Sequence, residues 1–437
     1  MQLKVVVIGG GAAGFFSAIA TKEANRHAHV ILIEASQQVL AKVRVSGGGR
    51  CNVTHACFDP AILVQNYPRG GKALRGAFSR FQTKDTITWF AMHGVPLKTE
   101  ADGRMFPITN TSETIVNCLL NTASETGVEI RTSAPVVGVK RLQGDWGLGT
   151  GDWGLGETTS QENLPLKARK IEKFEIIFKS GEIILSDRLL LATGSNPVGY
   201  KIAKEFGHKV EVPVPSLFTF NIGDEQLRSL AGISVESVRL RLLSGGKSQL
   251  EQTGPLLITH WGLSGPAVLK LSAWGARVLR ESHYQATLMI NWLPDFQQDE
   301  VRQKILAVKN EWGKKAIALH RGVDLPHRLW QYIIARSDIT TEQRWAEITN
   351  KQLNKLVQEL TQGEYLINGK GVFKDEFVTC GGVNLKEVNF KTMESQIVPG
   401  LYFAGEILDI DGVTGGFNFQ SAWTTGYLAG LAMASND

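Results

Sequence analysis

Three glycine-rich stretches of this 437-residue chain carry residue types able to hold a polyanion, and they lie far apart in sequence. Near the start, Gly9, Gly11 and Gly14 fit GxGxxG. The first glycine allows a tight turn, the second lets backbone approach a pyrophosphate, and the third lets a helix lie close on a strand. Glu34 stands 20 positions after Gly14, where a carboxylate would bind ribose hydroxyls and repel a 2′-phosphate. The implied chemistry is dinucleotide binding, with FAD or NAD ahead of NADP. In the second stretch, AKVRVSGGGRCNVTH (41–55), Gly47, Gly48 and Gly49 are bracketed by Lys42, Arg44 and Arg50. Backbone of this kind can mould around a polyanion or a flat ring, with Ser46 and Asn52 as hydrogen-bond donors; a flexible surface loop is the alternative. The third stretch, LYFAGEILDIDGVTGGFNFQSAWTTGYLAG (401–430), has Glu406, Asp409 and Asp411 after Gly405, then a helix opened by Gly415 and Gly416. Its N-terminal dipole would focus on the far end of a long ligand.

The elements that must position these residues follow from periodicity. Val5 to Ile8 is an unbroken β-branched run, the pattern of a strand buried on both faces of a parallel sheet. A helix from Ala12 to about Ala24 and a strand from His29 to Ile33 complete the βαβ unit that the glycine fingerprint requires. DRLLLATG (187–194) reads as a second buried strand ending in a glycine turn. Helices are expected near Thr83 to His93 and from Ser112, the expected N-cap, to Gly127; GRMFP (103–107) reads as a turn into a strand edge. Strands at Val136 to Leu142, Lys173 to Lys179 and Glu182 to Leu185 form an antiparallel meander. Its connection holds the tandem GDWGLGT and GDWGLGE (144–157), which reads as an expanded surface loop, with a binding tongue exposing Trp146 and Trp153 as the alternative.

From Pro213, where Pro213 and Pro215 mark a linker, to about Leu366 no glycine fingerprint occurs. Strands near Ser237 to Leu243, Leu256 to Thr259 and Gln285 to Asn291 precede helices near Glu300 to Trp312, Pro326 to Ala335 and Thr341 to Thr361. This block is the candidate substrate domain or lid. HWGLSGP (260–266) resembles a nucleophile elbow only until Pro266 takes the place of its last glycine. Ser264 is better read as an N-cap of a helix through Leu279.

The composition is that of an ordinary globular chain, 43% hydrophobic and 20% charged. The net charge of +5 comes without a long run of like charges, so a nucleic-acid partner is not expected. Met1 leads directly into the first buried strand and no apolar stretch reaches membrane-spanning length, so neither a signal peptide nor a membrane is expected, and the location is read as cytoplasmic. Cys51, Cys57, Cys118 and Cys380 form no CxxC, which argues against a zinc site or disulfides. His260, Tyr67 and Tyr200 are candidate proton donors, and no spacing selects among them; the catalytic residue is left unassigned. The basic segment Arg69 to Arg80 could serve a pyrophosphate or an anionic substrate, or be a solvated helix face.

The combination of GGGAAG, SGGGRCN, ATG and FAGE…DGVTGGFN, with NYPRGGKALRGAFSRF, QTGPLLITHWGLSGPAVLKLSAWGAR and FKDEFVTCGGV between, resembles the BaiN/RdsA-like family. These are FAD-binding, NAD(P)-linked oxidoreductases, also labelled aminoacetone oxidase-like flavoproteins, within the glutathione-reductase-type flavin fold. The resemblance covers essentially the whole chain. It implies an α/β protein whose doubly wound, Rossmann-type FAD-binding domain (1–200 and 367–437) is interrupted by an inserted β-rich substrate domain (201–300) and a helical appendage (301–366). It further implies that Gly9, Gly11, Ala13 and Gly14 hold the FAD pyrophosphate and Glu34 the adenosine ribose. Lys42, Ser46, Gly48 and Asn52 would line the phosphates and flavin, the Val137 backbone would face adenine, and Ala192 and Gly194 would crowd the dinucleotide. Gly405 and Glu406 would meet the ribityl and phosphate region, and Gly416, Phe417 and Asn418 the flavin pyrimidine edge. SNP after ATG, where a second glycine is usual, and the GDWGLG duplication depart from the family pattern. The expected activity is FAD-dependent reduction of a small organic substrate with NAD(P)H as diffusible reductant. An oxidase of a small amine or ketone, a flavin-free NAD dehydrogenase, and an RNA-modification accessory protein using the Arg69 to Arg80 segment are the alternatives.

Overall fold

A computed structural model describes residues 2–143, 172–243, 250–371 and 378–435. The tandem repeat at 144–157 lies outside the described residues, as does FKDEF (373–377). The chain opens with strand β1 (Lys4–Ile8), one residue longer than the Val5–Ile8 run, then helix α1 (Ala12–Ala24) and strand β2 (His29–Ile33), the limits that periodicity predicts. Val5, Val6 and Val7 are fully buried; each apolar side chain so removed from water contributes on the order of 1.5–3 kcal/mol. β1 is flanked by β2 and then Glu129–Arg131 on one side, and by Arg188–Leu191 and then Leu401–Phe403 on the other, all parallel. Two short antiparallel strands, Glu394–Ser395 and Val388–Asn389, extend that second edge.

The strand order reverses between β1 and Arg188–Leu191, so the crevice beyond their carboxyl ends is the place where an open α/β sheet holds a ligand. Gly9 ends one strand there and Ala192 the other. A Cβ on Gly9 would stand 2.3 Å from the Ala192 carbonyl oxygen, and one on Gly14 1.9 Å from that of Gly9, so both glycines are demanded by close approach. α1 also lies along the C-terminal helix Phe417–Ala434 through Gly426 and Gly430, whose added Cβ atoms would each come within 2.6 Å of an α1 carbonyl oxygen.

The meander is present as Val136–Gln143, Glu172–Phe178 and Ile183–Ser186. GRMFP does not form an edge: Arg104–Pro107 is the middle strand of three, between Thr54–His55 and Leu97–Thr99. The helix Ser112–Thr126 is capped by Thr111 rather than Ser112, whose hydroxyl instead donates to the Arg44 carbonyl at 2.8 Å. The Pro213–Pro215 stretch is not a bare linker. It lies within strand Val210–Ser216, paired antiparallel with Val378–Val383, and the register shifts between Glu211 and Val214, where Pro213 has no amide to lend.

This ribbon leads into a closed barrel of six strands: Phe220–Ile222, Gly262–Ser264, Leu250–Thr259, Ser234–Leu243, Ala286–Asn291 and Gly363–Lys370. The helices Gln298–Glu311, His327–Arg336 and Asn350–Gln362 sit between the last two strands, so the barrel closes only after the helical block. The expected helix from Thr341 to Thr361 is divided, because the Thr349 side chain caps a new start at Asn350. Ser264 ends a strand, and Gly265, at φ +97°, caps Pro266–Trp274; a second helix, Ala276–Glu281, follows the break at Gly275. A second apolar core runs from Phe218 to Ile367, distinct from the main core around the parallel sheet. Ala273 of the barrel helix packs into that main core. Among the described residues no helix is long and apolar enough to cross a membrane, and no cluster of metal-ligating side chains occurs.

Candidate functional site

All three glycine stretches converge on the carboxyl ends of β1 and Arg188–Leu191. Helix α1 has Gly11 as its N-cap, with no capping side chain and no acid in its first turn, so its free N–H groups and positive dipole end are unopposed. A Cβ on Gly11 would meet no protein atom within 4 Å, whereas one on Gly9 or Gly14 would strike backbone. The space beside Gly11 is therefore an open cradle before α1. Glu34 folds back on this turn. Its Oε2 accepts from Gly10 N at 2.8 Å, and Oε1 accepts from Ser36 N at 2.9 Å and Ser36 Oγ at 3.0 Å.

The SGGGRCN segment is a short helix from Ala41 that unwinds into left-handed backbone at Gly47 and Gly48, after Ser46 turns extended. A Cβ on Gly48 or Gly49 would touch nothing. Ser46 Oγ donates to Val43 O at 3.1 Å, which braces the unwinding. Lys42 reaches across to Glu406, Nζ to Oε2 at 2.5 Å, tying this segment to the Gly405 turn; Glu406 Oε1 also accepts from Thr379 N at 2.9 Å. Gly405 follows the end of its strand with Ala13 directly beside it, 2.9 Å from a hypothetical Cβ. Gly194 lies at φ +58° close to the Glu406 carboxylate. Here two buried hydroxyls, Thr193 Oγ1 and Tyr200 Oη, lack a partner among the described residues. Burial first, then Glu406 and Asp409, push the Tyr200 phenol well up, so it stays protonated and can only donate or accept a hydrogen bond.

The C-terminal helix is opened by Gly416 at φ +93°, and a Cβ there would run into Thr54 backbone. Buried Asn52 bridges this point: with its amide oriented by its neighbours, the oxygen accepts from Gly416 N at 3.0 Å and the nitrogen donates to Thr54 O at 3.1 Å. Asn418 closes the preceding loop through Gly412 N and O, at 2.8 and 2.9 Å, so its amide is committed there. Phe417 is buried, and its carbonyl accepts from Tyr67 Oη at 2.6 Å. That bond, together with burial that raises the phenol, makes Tyr67 a brace rather than a proton donor. Val137 falls at the register shift between Val136 and Gly138, which leaves it out of the ladder with its own partner. His260 belongs to the tight turn between two barrel strands. Cys51 is fully buried with its thiol pushed up to about 12 by that burial, which makes it inert.

Three further residues, none of them assigned to the cofactor, bear on the site. His55 stacks on Phe417, with ring centroids 4.6 Å apart, and its Nδ1 meets the Gly415 carbonyl at 3.0 Å. Burial is the main cause holding its pKa below 6.5. The Lys270 ammonium, on the barrel helix, acts on His55 in the same direction and has no carboxylate partner among the described residues. Arg69 makes a two-pronged ion pair with fully buried Asp411 and donates to Ala273 O of the barrel helix at 2.5 Å; Ser216 Oγ donates to Asp411 at 2.7 Å. The first member of the basic segment is thus an internal clamp. His55 directly follows SGGGRCNVT, a signal in plain view, whereas the Arg69 pairing spans 342 positions and had none. A cavity of about 990 Å³ lies elsewhere, among Trp312, His320 and Phe296 of the insertion, and touches none of the glycine stretches.

A family model described as HI0933-like protein Rossmann domain matches residues 3–432. The chain is 30% identical to a ribosomal RNA dihydrouridine synthase of Escherichia coli (strain K12), covering 98% of this chain and 96% of that protein. It is 27% identical to a 3-dehydro-bile acid delta(4,6)-reductase of Clostridium scindens, covering 99% of each. Among solved structures, a 3-ketosteroid-delta4-(5alpha)-dehydrogenase from Rhodococcus jostii RHA1 aligns with a TM-score of 0.50 at 14% identity, covering 99% of this chain and 97% of that one.

Proposed function

Because the chain belongs to the HI0933-like Rossmann-domain family and is an FAD-dependent oxidoreductase, we propose that it reduces a carbon–carbon double bond conjugated to a carbonyl, with uracil in ribosomal RNA as the substrate. The observation that carries the reading is common to the relatives' names. Dihydrouridine forms from uridine, and a delta(4,6) bile acid is reduced, by adding hydrogen across such a bond. The ribosomal RNA reading is preferred to a small enone on the higher identity of the first relative, and it departs from the expectation, drawn from the lack of a run of like charges, that no nucleic acid is a partner. The flavin-free NAD dehydrogenase is set aside in favour of the flavoenzyme family to which the chain belongs. NAD(P)H remains the reductant of this proposal, as the resemblance implied.

The residues present fit FAD. The Gly11 cradle, the uncapped α1, the open Gly48 and Gly49 turn and the Thr193 and Tyr200 hydroxyls, unpartnered among the described residues, are the features that would receive it. On this reading Gly9, Gly11, Ala13 and Gly14 take the pyrophosphate, and Glu34 takes the ribose. Lys42, Ser46, Gly48 and Asn52 line the middle, Val137 lies at adenine, and Ala192, Gly194, Gly405 and Glu406 flank the ribityl chain. Gly416, Phe417 and Asn418 hold the flavin edge through backbone. Bound FAD would supply the hydride. The 1–200 and 367–437 segments would form the cofactor-binding unit, and 201–366 the insertion that covers it, in keeping with the separate cores.

Lys270, whose charge is felt at His55, is assigned to the substrate carbonyl oxygen, where a cation would stabilise the negative charge that develops. His55, neutral at pH 7 and donating from Nδ1 to Gly415 O, fixes the Gly415–Gly416 turn against Phe417. The test is to incubate the FAD-loaded protein with NADPH and protein-free ribosomal RNA, then analyse the nucleosides by mass spectrometry. Dihydrouridine is expected. RNA left unreduced while a steroid enone is consumed would establish the small-molecule reading instead, and inertness towards both would remove the reaction.

A further inference from the structure

We propose that the outer face of the helix Gly71–Phe78, with Arg80 and Lys391 beside it, is the surface that grips the RNA phosphate backbone next to the reduced base; this rests on the ribosomal RNA reading above. The helix is sharply two-sided. Leu74, Ala77 and Phe78 are buried, whereas Lys72, Arg75 and Gly76 are exposed and share the opposite face, with Ser79 and Arg80 continuing it. Arg80 donates to the Lys391 carbonyl, which sets the exposed Lys391 beside the same face.

These cations differ from their neighbours in what they lack. Arg44, Arg50, Arg69 and Arg104 are each tied to a carboxylate. Lys72, Arg75, Arg80 and Lys391 have no carboxylate partner among the described residues. The nearby acids are turned elsewhere: Asp85 to Gln82 N, Glu387 to His208 and Lys209 N, and Glu394 to Gly400 N. The result is a row of uncompensated positive charge that repels itself unless an external polyanion meets it.

Its place in the fold gives the row its function. Phe78 packs on Tyr67 at 5.5 Å between ring centroids, and Tyr67 Oη holds the Phe417 carbonyl that begins the C-terminal helix. The inner face of the basic helix therefore braces the end of the site assigned to flavin. Its outer face is one helix diameter away, ~10 Å, about the span of a few nucleotides along a strand. A base entering that end would carry its flanking phosphates across the cations. A small uncharged enone would gain nothing from them.

The experiment is filter binding of the FAD-loaded protein to bulk ribosomal RNA stripped of protein, over a series of KCl concentrations. Each phosphate contact to single-stranded RNA contributes about 0.7 to the slope of log K against log salt. K72A/R75A should lower the slope by about 1.4 and weaken binding at 0.1 M salt by about 25-fold, with flavin absorbance unchanged. Arg75→Gln alone should give half that change in slope. K314A/K315A, which removes the same charge from exposed positions on the insertion, should leave the slope as in the wild type. The surface assignment is overturned if wild type binds with a salt slope that K72A/R75A and Arg75→Gln leave intact, or if K314A/K315A lowers it equally. No RNA binding by the wild type would instead overturn the ribosomal RNA reading, and the surface with it.

Discussion

Gly11→Ala separates cofactor binding from folding more cleanly than any other change at the site. Gly11 has φ −90° and ψ −171°, a backbone that alanine adopts freely, and its Cβ would meet no protein atom within 4 Å. The apo-protein should lose only the difference between glycine and alanine as an N-cap, on the order of 0.5–1 kcal/mol. The same methyl occupies the cradle before α1. Displacing a pyrophosphate there by about the width of a methyl would sacrifice at least one hydrogen bond to a charged group, worth about 1.5–3 kcal/mol, or roughly 10- to 150-fold in FAD affinity. Gly14→Ala is the counterpart: its Cβ would lie 1.9 Å from Gly9 O, so α1 must move off β1 and the apo-protein itself should lose several kcal/mol. FAD titration by quenching of flavin fluorescence, with thermal unfolding of both apo-proteins, gives the two numbers. Wild-type FAD affinity in Gly11→Ala refutes the cradle. Apo unfolding of Gly11→Ala as severe as that of Gly14→Ala would show that Gly11 serves packing.

Glu34→Ala should weaken FAD binding about tenfold through loss of the ribose contact and of the brace on Gly10 N, with the fold intact; unchanged flavin occupancy would take Glu34 out of the site. Arg69→Met leaves the buried Asp411 carboxylate without its cation and should cost about 3–5 kcal/mol in denaturant unfolding. Adding Asp411→Leu should restore most of that loss, and a double variant no better than the single would deny the coupling. His55 and His208 are both held below 6.5, chiefly by burial. Below that pH the unfolded chain takes up protons that the native protein refuses, so stability should fall as pH falls from 6.5 through the native values. Stability that rises on acidification across that window, or a slope that His208→Gln leaves untouched, would contradict the assignment. Lys270→Met should lower the turnover of reduction with FAD affinity unchanged, and Lys270→Arg should recover part of it; equal loss in both FAD binding and turnover would place Lys270 in the fold instead.

The cofactor-binding half was legible because its information is local. A β-branched run, a glycine turn and a 3.6-residue period each constrain neighbours in sequence, and β1, α1 and β2 come out within one residue of the expected limits. The barrel was not legible for the opposite reason. Two of its strands, Phe220–Ile222 and Gly262–Ser264, are three residues each, too short to show a period, and closure depends on pairing between Ile222 and Ile367. The capping errors share one cause: Ser264 and Ser112 have the right side chain, yet the backbone turn lies at Gly265 and the extended cap residue is Thr111. Propensity names residues able to cap, and tertiary geometry chooses among them. The same division governs the site. Gly9 to Glu34 could be read directly, but the Arg69 clamp on Asp411 joins positions 342 apart, and its bond to Ala273 O forms only when the insertion docks. Each proposed cofactor stretch is thus contiguous, although the three lie far apart, whereas the residues proposed for the substrate end, His55 and Lys270, come from the first segment and from the insertion. It follows that relatives can share the first and differ in the second, which is where a change from a steroid-like enone to a nucleobase in RNA would have to be made.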